Sequence, residues 1–309
     1  YAQALARYGT DAPDLQFGLE ISDVTDIACA CEFNVFRDAV QQGGRVRGIC
    51  VPGGAALPRS EIDGLVEWVK QFGLAGLAWL KFEGGGAQGG VAKFFKEGEV
   101  AAIAERFGAG AGALLLFVAA PARQGDVALA HLRRHLARKL GRIPDGRFDL
   151  CWIVEPPAFE LDPETGQLTF PHHPFTAPYP EDVHLLDTDP TAARSRAYDL
   201  VLNGVELGGG SIRIADHDLQ MRIFKILGYT PQEVQERFGF FLNALRYGPP
   251  PHGGIALGVD RVVAGMLGLE DIRETIAFPK TQRAVCMLTG APGPVQEAQL
   301  RDLGIRLDR

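Results

Sequence analysis

The sequence predicts an α+β fold: a mainly antiparallel sheet flanked by helices, with a smaller α/β module ahead of it. Two patterns and one turn carry that expectation. From about residue 148 onward, most connections between the short apolar runs at 150–154, 167–170, 199–202, 205–207, 211–214 and 254–259 are short or contain turn residues, which favours antiparallel pairing. Between about 18 and 120, β-rich runs at 46–51, 77–82 and 114–119 alternate with helical patterns at 59–72 and 97–107. Asn203-Gly204 lies between two apolar runs, the strongest short-range signal for a two-residue hairpin, because both central residues must take positive φ.

In chain order, residues 1–17 read as a short amphipathic helix ending near Tyr8-Gly9, then a proline-containing connection. Residues from about 18 to 120 read as a compact α/β or α+β module, with 121–309 as the larger remainder. Ser60, with Glu61 and Asp63 after it, is a plausible cap for the helix at 59–72. The glycine-rich stretch 83–90 lacks a terminal G-K-[ST] and reads as a hairpin tip. A basic amphipathic helix covers 127–140, its cations expected on a solvated face, with contact to RNA phosphate the weaker alternative. Further helices are expected at 191–196, 220–227, 231–247 and 261–267, and a last short one at 294–303. Thr230-Pro231 is a well-formed helix start and Gly248 with the prolines after it a stop.

With 46% hydrophobic and 22% charged residues, the composition is that of a globular protein. A net charge of −7 argues against gripping nucleic acid over the whole surface but leaves local contacts open. Five scattered cysteines without a C-x-x-C pattern point to free thiols in a reducing cytoplasm rather than to zinc. The longest apolar run is too short to span a bilayer, and no secretory signal pattern is present. The chain begins with Tyr1 rather than Met, which is compatible with a piece of something longer.

Three groups of residues could carry chemistry. In the hairpin, an uninterrupted register pairs Leu202 with Val205, Val201 with Glu206 and Leu200 with Leu207. Leu200, Leu202, Val205 and Leu207 then share a face that reads as core. Asp199 and Glu206 share the other, about 6–8 Å apart at the backbone. Two carboxylates beside bare glycine backbone suit a hydrated divalent cation carrying phosphates, or else form a solvated acidic face. Arg213 falls opposite Glu206 in an unbroken strand, unless the glycine triplet 208–210 hosts a bulge that resets the register. Next, an apolar strand runs into a helix beginning near Asp260, a possible N-cap. Arg261 in its first turn, where acids are usually preferred, hints at a bound anion. Finally, His172 and His173 are adjacent and cannot both ligate one metal from a regular strand. A single histidine bonding a polar substrate and a structural role in a proline-pinned loop both remain open.

Four segments resemble the catalytic domain of bacterial-type aspartyl-tRNA synthetases: 198–214 (YDLVLNGVELGGGSIRI), 172–178 (HHPFTAP), 253–261 (GGIALGVDR) and 271–280 (DIRETIAFPK). Residues 7–15 (RYGTDAPDL) are similar to the stretch just after that family's motif 2, and 18–120 resembles the GAD-like insertion domain of the bacterial group. The resemblance implies a class II synthetase-like sheet and an aspartate–tRNA ligase using ATP and Mg²⁺. Asp199 and Glu206 would hold the metal, and Gly258, Val259, Asp260 and Arg261 would form the ATP-contacting motif 3. Glu206 and Arg261 would carry catalysis. Arg213 would clamp the aspartate side-chain carboxylate, and His172 and His173 would line the aspartate pocket. Implied partners are L-aspartate, ATP and the acceptor end of tRNA, with a cytoplasmic homodimer as parent and no membrane. The family's anticodon-binding barrel, motif 1 and motif 2 are not found in the sequence. Ala215 stands where many members have histidine.

Overall fold

The computed structural model describes residues 1–84 and 86–307. Contacts divide the chain into two units, Tyr1–Leu257 and Gly258–Arg309.

The first unit opens with α1 (Ala2–Tyr8), ended by Gly9 in the left-handed conformation. A five-stranded antiparallel sheet follows. Its strands are β1 (Ile21–Asp23), β2 (Arg45–Val51), β3 (Ala78–Glu83), β4 (Gly86–Gln88) and β5 (Leu114–Ala120), in the order β1-β2-β5-β3-β4. The interleaved helices are α2 (Thr25–Ala28), α3 (Asn34–Gln41), α4 (Arg59–Trp68), α5 (Glu97–Phe107) and α6 (Ala122–Lys139). Both faces of the sheet are covered. Ile49, Leu114, Leu116 and Val118 pack against Leu129, Leu132 and Leu136 of α6. Val46, Leu80, Leu115 and Phe117 pack on the other side with Phe36 of α3 and Ile103 of α5. A strand buried on both faces reads as a continuous apolar run, which is how β5 reads (LLLFVAA).

Two expectations change here. The cap of α4 is Pro58, not Ser60, because the helix starts at Arg59, two residues earlier than a Ser60 cap requires. The basic helix α6 is not a purely solvated face. Arg133 is buried at 2% exposure, donating from Nε to Leu19 O at 2.7 Å and from Nη2 to Gly18 O at 3.0 Å, with its guanidinium over Tyr8 and Phe17. His131 stacks on Phe72 and His135 on Trp68. Arg133 thus ties the segment before the sheet to α6, and the two histidines tie α6 to the end of α4 and the turn after it.

The second sheet has four antiparallel strands, β6 (Leu150–Val154), β9 (Ala197–Leu202), β10 (Val205–Ile212) and β11 (Gly253–Leu257), in the order β11-β10-β9-β6. A two-stranded ribbon, β7 (Glu160–Leu161) with β8 (Leu168–Thr169), precedes β9. Helices α7 (His217–Ile226) and α8 (Pro231–Leu245) lie between β10 and β11; α8 begins as expected with Thr230 as N-cap and Pro231 after it, and Glu233 completes a capping box. The helix expected at 191–196 shrinks to a 3₁₀ turn, Pro190–Ala192. Beyond it the backbone is taken up in pairing: Ser195 N–H donates to Pro156 O and Arg196 N–H to Ala177 O.

The second unit holds α9 (Val259–Leu267) and α10 (Glu297–Asp302). Among the described residues no helix is long and apolar enough to cross a membrane, and all five cysteines are free.

Candidate functional site

Asn203 and Gly204 both have positive φ, 49° and 81°, as a two-residue turn of the expected kind requires. Asn203 is further pinned by its side chain, which accepts from Asp149 N–H and donates to Arg147 O. The register begins as predicted, with Val205 opposite Leu202 and Glu206 opposite Val201. It then shifts: Gly208 faces Leu200, Gly209 faces Asp199 and Ser211 faces Ala197. Leu207 is the extra residue of a β-bulge. The reset anticipated within the glycine triplet thus occurs one residue before it, and β10 continues as one strand where two were expected.

Glu206 and Arg213 are seven positions apart and belong on opposite faces of a regular strand. One extra residue between them brings both to the face of Asp199 and Ser211. Of the four residues expected to share a core face, Leu207, the bulge residue, is buried, but Val205 is exposed and Leu200 and Leu202 are half-buried, whereas Val201 is buried against Ala4 and Ile153. Helix α1 lies on the Asp199 side of the sheet, so the buried valine and the site carboxylate share a face.

The glycines leave no spare room. A Cβ on Gly209 would lie 2.2 Å from Asp199 Oδ1, and one on Gly210 would lie 1.9 Å from Gly254 O of the neighbouring strand. Glycine at 209 therefore lets the Asp199 carboxylate lie over the strand. Glycine at 210 lets β11 come close, with Tyr198 reaching across to donate to Gly254 O at 3.0 Å.

The histidine loop meets this face. His172 Nε2 is 3.9 Å from Asp199 Oδ2. His173 sits deeper, with Nδ1 2.9 Å from Arg213 Nη1 and Nε2 3.4 Å from Ser211 Oγ. Thr176, fully buried, donates to Ser211 Oγ at 3.2 Å. The loop is fixed from behind by Gln220 of α7, whose Nε2 donates to Pro174 O at 2.8 Å. Burial, then the cationic Arg213 and neighbouring His172, push the His173 pKa below its ordinary value, so its ring is held neutral. Gln220, Thr176 and Ser211 were not singled out from sequence. Gln220 gives no signal there beyond its place in an amphipathic helix.

The first unit therefore brings together Asp199, Glu206, Arg213, His172 and His173. Two carboxylates on one face, with glycine backbone beside them, are suitable donors for a hard cation that keeps most of its own ligands from water and phosphate. Among the described residues no three His, Cys, Asp or Glu side chains cluster as a closed metal site.

Gly258, Val259, Asp260 and Arg261 begin the second unit. Gly258, not Asp260, is the N-cap of α9, since the helix starts at Val259. Asp260 is the acid of the first turn and Arg261 follows it there, as expected.

Residues 1–282 match the family profile of "tRNA synthetases class II (D, K and N)". The chain is 50% identical over 309 residues to an aspartate–tRNA(Asp/Asn) ligase of Halothermothrix orenii, covering 100% of this chain and 52% of that protein. It is 49% identical over 315 residues to the same-named protein of Persephonella marina, again with 100% and 52% covered. A Bacillus cytotoxicus protein of that name is 49% identical over 309 residues with the same two shares. The chain spans about half the length of the curated relatives it matches. On the match across residues 1–282, the chain belongs to the class II tRNA synthetases of the D, K and N group.

Proposed function

We propose that this chain supplies the aspartate-binding face and motif 3 of an aspartate–tRNA ligase. In that reaction the aspartate α-carboxylate attacks the α-phosphorus of ATP and pyrophosphate leaves, giving aspartyl-adenylate; the terminal ribose hydroxyl of tRNA then takes the aminoacyl group and AMP leaves. The observation that carries the reading is the bulge at Leu207, which aligns Asp199, Glu206 and Arg213 on one face. Arg213 offers a planar fork for the aspartate side-chain carboxylate. His172, beside Asp199, lines the same pocket. Asp199 and Glu206 would hold Mg²⁺, which supplies charge neutralisation for the ATP phosphates. Glu206 also orients ATP, and Gly258 to Arg261 contact it, with Arg261 as the cation for developing phosphate charge. Most of the rate gain in such a site comes from orientation and preorganised charge.

The same reading takes residues 18–120 as the insertion domain and the flanking residues as catalytic-domain sequence. It implies L-aspartate, ATP and tRNA as partners of a cytoplasmic homodimer. The relatives are named for both tRNA(Asp) and tRNA(Asn), and that pair is the proposed acceptor class.

The test is aspartate-dependent ATP–pyrophosphate exchange by the full-length protein carrying this chain. Arg213→Ala should raise the aspartate KM by about 100-fold or more, as expected when a charged bond to substrate is removed. Glu206→Ala should weaken Mg·ATP binding by calorimetry. Unaltered aspartate KM in the first variant would sink the aspartate assignment, and unaltered binding in the second would sink the metal assignment. The 309-residue chain alone should show little exchange, and robust exchange by it would contradict the proposal that half the site lies elsewhere.

A further inference from the structure

His173 has no ring nitrogen left for a ligand. Two groups that can only donate converge on its Nδ1: the Phe175 backbone N–H at 3.3 Å and Arg213 Nη1 at 2.9 Å. A ring nitrogen facing two donors must be the unprotonated one. The proton of the neutral ring is then on Nε2, which faces Ser211 Oγ at 3.4 Å as an acceptor, while Thr176 Oγ1 lies beside both ring nitrogens, 3.4 Å from Nδ1 and 3.5 Å from Nε2. Those hydroxyls are held in turn, since Thr176 donates to Ser211 and both side chains are buried. The loop carrying the ring is tied to α7 through Gln220 and Pro174 O.

We propose that His173 is a positioning residue rather than a substrate contact: as its Nε2–H tautomer it presents Nδ1 to the Arg213 guanidinium and sets the angle at which that guanidinium meets an anionic ligand. The ligand class is a carboxylate taken by two parallel N–H bonds, for which a small rotation of the fork costs one bond of the two. One guanidinium nitrogen bonded to His173 leaves the remaining edge of the fork to face the ligand. This deepens the aspartate reading and rests on it for the identity of that carboxylate.

Asparagine and glutamine separate the two ring nitrogens. The Asn amide oxygen reaches the position of Nδ1, and the longer Gln side chain reaches that of Nε2. His173→Asn therefore keeps an acceptor for Arg213, and His173→Gln moves it toward Ser211. In the full-length protein, His173→Asn should raise the aspartate KM about threefold and His173→Gln about 30-fold, with the ATP KM unchanged in both. Nitrogen NMR of ¹⁵N-histidine-labelled protein should report Nδ1 unprotonated and Nε2 protonated at position 173. Equal KM values in the two variants, or a protonated Nδ1, would overturn the proposal. If instead Arg213→Ala leaves the aspartate KM untouched while the tautomer is as stated, the ligand assignment fails and the positioning of Arg213 by His173 stands.

Discussion

The two antiparallel sheets of the first unit treat their faces in opposite ways. In the five-stranded sheet, the central strand β5 is packed on both sides, by α6 on one and by α3 and α5 on the other. In the four-stranded sheet, one face carries Asp199, Ser211 and Arg213 around a small buried cluster, and the other leaves Leu150, Trp152, Val154 and Val205 exposed. Apolar side chains are equally available in both, so composition does not distinguish them. The difference lies in what the strands must leave open. A sheet that only has to hold together can bury every residue, whereas one that presents a polar face to ligands must find its packing elsewhere.

Four measurements break or sharpen this contrast, beginning with the largest expected effect. Leu115→Ala, deep in β5, should lower the unfolding free energy by about 3–4 kcal/mol in a urea titration. A loss below about 1 kcal/mol would mean that the two-sided packing is looser than the burial indicates. Arg133→Ala should cost about 3 kcal/mol, because the Leu19 and Gly18 carbonyls lose a charged donor in a buried setting. Burial already pushes the Arg133 pKa down to about 10, yet the group stays cationic near neutrality. A methionine at 133 keeps the stem contacts and should recover only the packing part of that loss.

The third measurement concerns pH. The His173 pKa is lowered in the folded protein, so as pH falls the unfolded chain takes up that proton first. The stability tied to the neutral ring is complete above the ordinary value of 6.5 and is lost as pH falls from there through the folded-state value. Urea midpoints at pH 7.5 and 5.5, for wild type and His173→Asn, should show a steeper loss in the wild type. Equal slopes would mean that burial and the cations Arg213 and His172 do not lower the His173 pKa in the folded protein. The smallest effect is expected at Trp152, 56% exposed on the open apolar face: Trp152→Ser should change the unfolding free energy of the isolated chain by less than about 1 kcal/mol. A larger loss would show that this face is covered in solution.

Much of the architecture was legible because its signals are local. Asn203-Gly204 encodes its turn, Thr230-Pro231 its helix start, and the uninterrupted apolar run of β5 its burial. The misreadings share one cause, competition from distant partners. The helix expected at 191–196 loses to strand pairing of Ser195 and Arg196. Arg133 leaves the solvated face because the carbonyls of Gly18 and Leu19 need donors. Which face of the hairpin is buried depended on where α1 packs, a contact about 200 residues away in sequence that no periodicity reports. Among the candidate site residues, type and spacing singled out Asp199, Glu206, Arg213 and the histidines but left a plain structural alternative beside each, and only the family resemblance gave them roles. Their shared face depended on a single bulge, and the supporting Gln220, Thr176 and Ser211 emerge only from the folded contacts.

That bulge behaves like a parity correction. Side-chain direction along a strand is a two-state variable that flips at every residue, so the seven-residue interval from Glu206 to Arg213 stores the wrong answer and Leu207 inverts it. Deleting or inserting one residue anywhere between those two positions would exchange the sides of everything downstream on β10, while two such changes would restore them. Length, rather than the chemistry of any one side chain, is therefore the most tightly constrained property of this strand.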